Sequence, residues 1–174
     1  MPSQPPPILS SINVQHLEAT ATTFGLTIQE LHDLKRHAVA AKATAYCPYS
    51  NFRVGAVALS PTDGTYIPGA NVENAAYPVG TCAERVALGR AVTEGHRQFK
   101  AIAVATDISP PASPCGMCRQ FIREFCDLTM PILMFDKDGN FCVMRLEELL
   151  PMSFGPEHLD SAGDFAKHSG TSLT

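Results

Sequence analysis

Three cysteines and one glutamate are the residues of this chain best placed to do chemistry together. Cys115 and Cys118 stand in Ser113-Pro114-Cys115-Gly116-Met117-Cys118, and Cys82 stands well upstream in Cys82-Ala83-Glu84. A Cys-x-x-Cys pair at the opening of a helix brings two sulfurs to one side of its first turn. Unpaired backbone N–H groups and the positive end of the dipole there favour thiolate over thiol. Cys82, at the start of a second predicted helix, supplies a third sulfur from across the site. Thiolates gathered in this way attract zinc. Glu84 lies too close to Cys82 to be an ordinary fourth ligand, yet near enough to reach whatever the metal binds. Three protein ligands beside an unligated carboxylate describe an open, catalytic zinc, because structural zinc is normally closed by four ligands.

The alternatives are plainer. A lone cysteine is most often a buried apolar side chain, and Cys47, Cys126 and Cys142 are read that way. A structural zinc needs a fourth ligand. Cys126 follows Cys118 by eight residues, roughly 12 Å along a helix, so it should not reach. The six histidines are scattered, with none near the three cysteines.

The elements that must position these residues can be read from periodicity. Thr27 and Glu30 have capping-box spacing, and Leu31, Leu34, Ala38, Ala41 and Ala45 continue an apolar stripe at helical period. This predicts a helix from Thr27 that stops before Pro48. Phe52 to Leu59 and Tyr66 to Val72 read as strands around the turn Pro61-Thr62-Asp63-Gly64. Thr81 to Glu94 reads as a helix ending at Gly95. Ala101 to Thr106, almost wholly apolar, reads as a strand covered on both faces. Cys118 to Phe125 fits a helix, Pro131 to Phe135 and Phe141 to Met144 fit strands, and Leu146 to Leu150 a last helical turn. The order α-β-β-α-β-α-β-β-α predicts an α/β fold, a mixed sheet sandwiched between helices.

Bulk properties narrow the partners. At 174 residues, with 45% hydrophobic and 17% charged residues, the chain reads as one globular unit. Residues 1–26 are read as a flexible N-terminal arm opening on a proline-rich stretch, 27–160 as the catalytic domain and 161–174 as a flexible tail. The net charge is −4, the pI is about 5.8, and the 13 Lys and Arg residues form no basic run. A nucleic acid polymer is therefore not expected as the ligand. No apolar stretch approaches the ~20 residues needed to span a bilayer, and Met1 to Ser10 lacks the pattern of a secretory signal. The expectation is a cytoplasmic protein, the nucleus not excluded, with reduced cysteines.

Cys82-Ala83-Glu84 followed by Pro114-Cys115-Gly116-Met117-Cys118 is the all-cysteine form of the zinc-deaminase signature. The chain also carries Ala45-Tyr46-Cys47-Pro48-Tyr49-Ser50-Asn51-Phe52, Asn71-Val72-Glu73-Asn74-Ala75, and the run from Leu149 to Leu159. From about Leu34 to Leu159 it resembles the small homotetrameric cytidine deaminases. The resemblance implies a three-layer α-β-α sandwich with a central mixed five-stranded sheet, and one zinc per subunit held by Cys82, Cys115 and Cys118. It implies hydrolytic deamination of cytidine and 2′-deoxycytidine, with Glu84 shuttling protons to and from a zinc-activated hydroxide. It assigns Phe52 to stacking on the pyrimidine, and Asn71 and Glu73 to the sugar 3′-hydroxyl; residues i and i+2 of a strand share a face. Ala83 would meet the substrate through its backbone, and Arg85 would donate to the thiolates and offset their charge. Tyr77 and Phe154 resemble positions where a neighbouring subunit closes the pocket. Three other readings stay open: an aminohydrolase for a cytosine-containing antibiotic, a polynucleotide deaminase, and a zinc-stabilised binding module without activity.

Overall fold

Strands that are apolar at every position need cover on both faces, and that requirement sets the architecture. The computed structural model describes residues 5–159; the tail expected over 161–174 lies outside the described residues. In chain order the elements are β1 (Leu9–Ser10), α1 (Val14–Phe24), α2 (Ile28–Ala41), β2 (Val54–Leu59), β3 (Tyr66–Ala70), α3 (Ala83–Thr93), β4 (Ala101–Thr106), α4 (Gly116–Phe125), β5 (Pro131–Phe135), β6 (Asn140–Arg145) and α5 (Leu146–Leu149). The strands form one sheet ordered β1-β6-β5-β4-β2-β3. Only β4 and β5 run parallel; the other neighbours are antiparallel.

Side chains alternate across the sheet with a period of two. Ala56, Ala58, Ile102, Val104, Ile132 and Met134 pack with Ala87 and Leu88 of α3, Ile122 of α4 and Leu146 of α5. Val57, Leu59, Ala103, Leu133 and Phe135 face the other way, against Leu17 of α1 and Leu31, Leu34 and Ala38 of α2. The result is the expected three-layer α-β-α sandwich, with a mixed sheet.

The expected count of five strands is corrected to six among the described residues. The sixth is β1, where Leu9 pairs with Phe141 and Ser10 with Asn140 on the outer edge of β6. It comes from the segment read as a flexible arm, which also folds into α1. Asn13 caps that helix by accepting the Gln15 and His16 N–H groups at 3.0 and 3.3 Å, and Gly25 ends it at φ +66°. The physical reason for ordering is burial: Leu17 and Leu26 enter the core beneath α1 and α2. The Thr27–Glu30 capping box is present on both sides. The helix ends before Pro48: α2 runs to Ala41, a 3-10 turn follows over Lys42–Thr44, and the chain is then extended, with Tyr46 N–H bonded to Asn71 O at 2.9 Å. Cys126 and Cys142 are buried as expected, whereas Cys47 is only half-buried.

Two glycines let helices lie directly on the sheet. At Gly55 an added Cβ would fall 2.7 Å from Lys42 N. At Gly69 it would fall 2.8 Å from Ala83 O and closer still to Ala87 N, both in the α3 backbone. Gly55 also pairs with Ala70 on one side and Ala105 on the other, so the chain leaves β3 and β4 at the same end of the sheet. Gly69→Ala is expected to lower unfolding stability by about 1–3 kcal/mol through overpacking. Gly89→Ala, inside α3 and facing open space, is expected to raise it by about 0.5–1 kcal/mol. Urea denaturation midpoints of the two variants should move in opposite directions.

Candidate active site

The loops leaving β3 and β4 lead to the N-termini of α3 and α4, and each helix is capped by a cysteine. Cys82 is the N-cap of α3 and Cys115 the N-cap of α4, and neither helix has a side-chain hydrogen bond closing its end. Ser, Thr, Asp or Asn usually fills that role. Here the free N–H groups and positive dipole ends face sulfur instead. Cys118 sits in the first turn of α4, fully buried. The three sulfurs lie within 4.8 Å of one another, with Cys82–Cys115 at 3.7 Å and Cys115–Cys118 at 3.5 Å. Tetrahedral zinc with bonds of about 2.3 Å to sulfur separates its ligands by roughly 3.8 Å. The thiols therefore fit zinc, and they are the only such cluster of potential ligands among the described residues.

Glu84 follows one residue into α3 and is 4% exposed. Burial pushes its carboxyl above the usual carboxylate range, and the Cys82 thiolate pushes the same way. Such a group keeps its proton to higher pH than an exposed carboxylate does. Cys82 is lowered to about 5, chiefly because the Cys118 thiol stabilises its thiolate. Cys118 is raised by that same interaction and by burial. Arg85 donates Nη2–H to Gly80 O at 3.1 Å, while its buried Nε–H finds no hydrogen-bond partner of ordinary geometry among the described residues. Burial opposes the Arg85 charge, but attraction from Cys82 and Cys118 outweighs it.

The remaining expected residues lie on the segments flanking this end of the sheet. Asn71 accepts Val54 N–H at 2.8 Å and donates Nδ2–H to Phe52 O at 2.8 Å. Glu73 accepts Tyr49 N–H at 2.9 Å, Ser50 N–H at 3.2 Å and the Ser50 hydroxyl. Both side chains thus shape the loop from Cys47 to Arg53, which carries the half-buried Phe52. The strand argument for them needs adjusting: β3 ends at Ala70, and Val72 makes only isolated bridges with Tyr46 and Thr81. A cleft of about 260 Å³ is lined by Tyr49, Ser50, Glu73, Asn74, Tyr77 and Gly80. None of the three thiols lines it. Ala83 is fully buried, while Tyr77 is 73% and Phe154 58% exposed. Tyr77 tilts against Tyr49 with ring centroids 5.9 Å apart, and Phe154 stacks on His158 at 5.1 Å.

Sequence reasoning did not single out Ser50, which joins Glu73 from a distant position, nor Arg119, whose guanidinium contacts the backbone just before Cys115. Neither carries a local signal. Ser50 is one more loop hydroxyl, and Arg119 reads as a charged residue on a helix surface.

Three converging thiols that fit zinc, with a buried carboxyl beside them at one end of a three-layer sandwich, are the arrangement of a hydrolytic enzyme. The family model for the cytidine and deoxycytidylate deaminase zinc-binding region matches residues 28–134. A cytidine deaminase of Sporosarcina psychrophila is 47% identical over 124 residues, covering 71% of this chain and 90% of that one. A probable cytidine deaminase of Dictyostelium discoideum is 43% identical over 66% of this chain and 77% of its own length. The crystal structure of cytidine deaminase from Burkholderia pseudomallei superposes with a TM-score of 0.68 at 42% identity, covering 71% of this chain and 98% of that chain. The chain belongs to the cytidine and deoxycytidylate deaminase family.

If the three thiols hold the metal, Cys118→Ala should abolish stoichiometric zinc, read by metal analysis of the purified protein. Cys126→Ala, one helix end away, should leave the metal content at the native level. Full zinc in the first variant would refute the ligand set.

Proposed function

We propose that the enzyme hydrolyses cytidine and 2′-deoxycytidine to uridine and 2′-deoxyuridine with release of ammonia, a reaction of pyrimidine salvage. The observation that carries this reading is the buried Glu84 carboxyl beside three converging thiols. The names of the relatives add the substrate.

Cys82, Cys115 and Cys118 would hold the metal. When bound, zinc supplies Lewis acidity that brings the pKa of water from about 15.7 toward 7. The chain's own residues do the rest. The Glu84 carboxylate takes a proton from the attacking water and gives it to ring N3 of the pyrimidine, which makes C4 electrophilic. After addition at C4, the carboxylate takes the proton of the new C4 hydroxyl and passes it to the amine, which leaves as ammonia while the C4 carbonyl forms, so the group acts as base and then as acid. The N–H groups at the start of α3 and α4, around Ala83 and Cys115, offer donors to the substrate. Arg85 offsets the surplus negative charge of three thiolates.

Phe52 stacks on the pyrimidine, and Asn71 and Glu73 take the 3′-hydroxyl. Asn71 keeps one Nδ2–H beyond the bond to Phe52 O, and Glu73 lines the cleft. Tyr77 and Phe154 would be covered by neighbouring copies of the chain in a homotetramer, which explains large aromatic rings left in the open. Three unoxidised thiols as ligands go with a reducing, cytoplasmic setting.

Glu84→Gln is expected to keep stoichiometric zinc while losing about 100- to 10,000-fold in turnover, followed by the fall in cytidine absorbance. Near-native activity in that variant would sink the proton-transfer assignment. A substrate panel tests the sugar contacts: cytidine and deoxycytidine should be turned over well, and free cytosine and 3′-phosphorylated nucleosides very poorly. Equal rates on cytosine and cytidine would remove Asn71 and Glu73 from the recognition of substrate.

A further inference from the structure

The stretch between β4 and α4, from Asp107 to Cys115, has no regular structure, yet the sulfur at its end must meet two others from elsewhere. The first half is tied to several elements. Lys42 and Arg53 hold the Asp107 carboxylate at 2.9 and 2.8 Å. Lys137 N–H donates to Ile108 O at 3.0 Å, and the Ser109 hydroxyl donates to the buried Asp136 carboxylate at 2.9 Å. The second half, from Pro110 to Pro114, is different. It contains three prolines without N–H groups, and all the hydrogen bonds found for it among the described residues come from one side chain.

That side chain is Arg119. Its Nε–H donates to Pro114 O at 2.8 Å and its Nη2–H to the Ser113 hydroxyl at 2.8 Å. Its Nη1–H crosses to Leu149 O, at the end of α5, at 2.7 Å. The Arg119 backbone N–H also donates to Cys115 O at 3.0 Å. A guanidinium is a rigid plane with donors in fixed directions, so three acceptors on three sides leave it a single position. It then fixes whatever it holds.

The geometry points to Arg119 as a positioning residue for the Cys115 ligand. Its guanidinium locks Ser113 and Pro114 against the end of α5 and thereby sets where the Cys115 sulfur stands relative to Cys82 and Cys118. This rests on the reading that the three thiols hold zinc. Arg119 hydrogen-bonds to none of the sulfurs, so its effect is on how well the metal is gripped. Lysine at this position keeps the charge but presents one compact ammonium, which cannot span three separated acceptors.

The test follows zinc release from the full-length protein into a chromogenic chelator, alongside absorption spectra of the cobalt(II)-substituted forms. Thermal melts monitor folding. Arg119→Lys and Arg119→Ala are expected to release zinc about 10–100-fold faster than the native protein, the range typical for groups that orient ligands. Their cobalt bands should shift as the sulfur geometry loosens. Added guanidinium ion at millimolar concentration should slow release from Arg119→Ala, while sodium chloride at equal ionic strength should not. If Arg119→Ala does not fold, Arg119→Lys and Ser113→Ala carry the comparison, the latter losing one acceptor and falling between native and lysine. Native release rates and native cobalt spectra in folded variants would overturn the assignment. A native protein that retains no zinc would overturn the metal reading itself, a different result from zinc retained equally by all forms.

Discussion

Two helix N-termini must meet at one point, each without a capping side chain, and the rest of the structure can be derived from that constraint. An uncapped N-terminus leaves several backbone N–H groups unpaired, and bringing two such ends together adds the repulsion of two positive dipole ends. Something negative has to sit between them. Cys82 and Cys115 occupy the cap positions themselves, and Cys118 comes from the first turn of α4. The local field there favours the Cys82 thiolate, while burial and that neighbouring charge hold Cys118 as a thiol. Thiolates would repel one another without a cation, just as the helix ends would repel without the thiolates. The three converging sulfurs make an arrangement that a divalent metal would complete.

Convergence at this scale needs rigid support, and the sheet supplies it. Gly55 registers with both Ala70 and Ala105, which sends the chains from β3 and β4 out at one end. Gly69 has no side chain, so α3 lies directly on β3 and a shift of the helix toward or away from the sheet is resisted by backbone contact. On the α4 side the support is polar. Arg119 binds the loop before Cys115, Gln120 donates to Phe154 O at 2.9 Å, and Arg123 bonds Ser153 Oγ at 3.0 Å and the Glu157 carboxylate. One helix thereby carries the buried Cys118 thiol at its start and straps down the segment from Ser153 to Glu157 along its side.

The sequence makes some of this legible for clear physical reasons. Ala101–Thr106 and Pro131–Phe135 match their predicted bounds, because wholly apolar runs between polar breaks have one plausible fate in a three-layer sandwich. The Thr27–Glu30 box is local chemistry, readable over four residues. The convergence of Cys82, Cys115 and Cys118 is readable because a Cys-x-x-Cys at a helix start and a third cysteine at another fix residue type and spacing together. What escaped notice depends on distant partners. The strand β1 is two residues long, too short for periodicity to register, and exists because β6 offers an unpaired edge. Helix α1 is largely polar and follows a proline-rich stretch, so its order comes from Leu17 packing under α2 and not from its own pattern. Ser50 and Arg119 bind residues remote in sequence or backbone atoms alone, and composition carries no trace of either.

Asn71 and Glu73 show where the two kinds of information meet. Resemblance assigns both to a sugar hydroxyl, while the structure shows each bonded to the loop bearing Tyr49, Ser50 and Phe52. These roles are compatible because amides and carboxylates have more than one bonding direction. They are also mutually useful. A carboxylate already held by two backbone N–H groups and a hydroxyl would lose little freedom on taking a sugar hydroxyl, which is the physical content of preorganisation. The hydrogen bonds from Ser50 and the backbone hold the Glu73 carboxyl below the usual carboxylate range against the opposing effect of burial, so it stays an acceptor throughout the neutral range. If Asn71 and Glu73 take the sugar hydroxyl as proposed, the loop they build is held beside it, and the Phe52 ring that the loop carries is fixed in the same step.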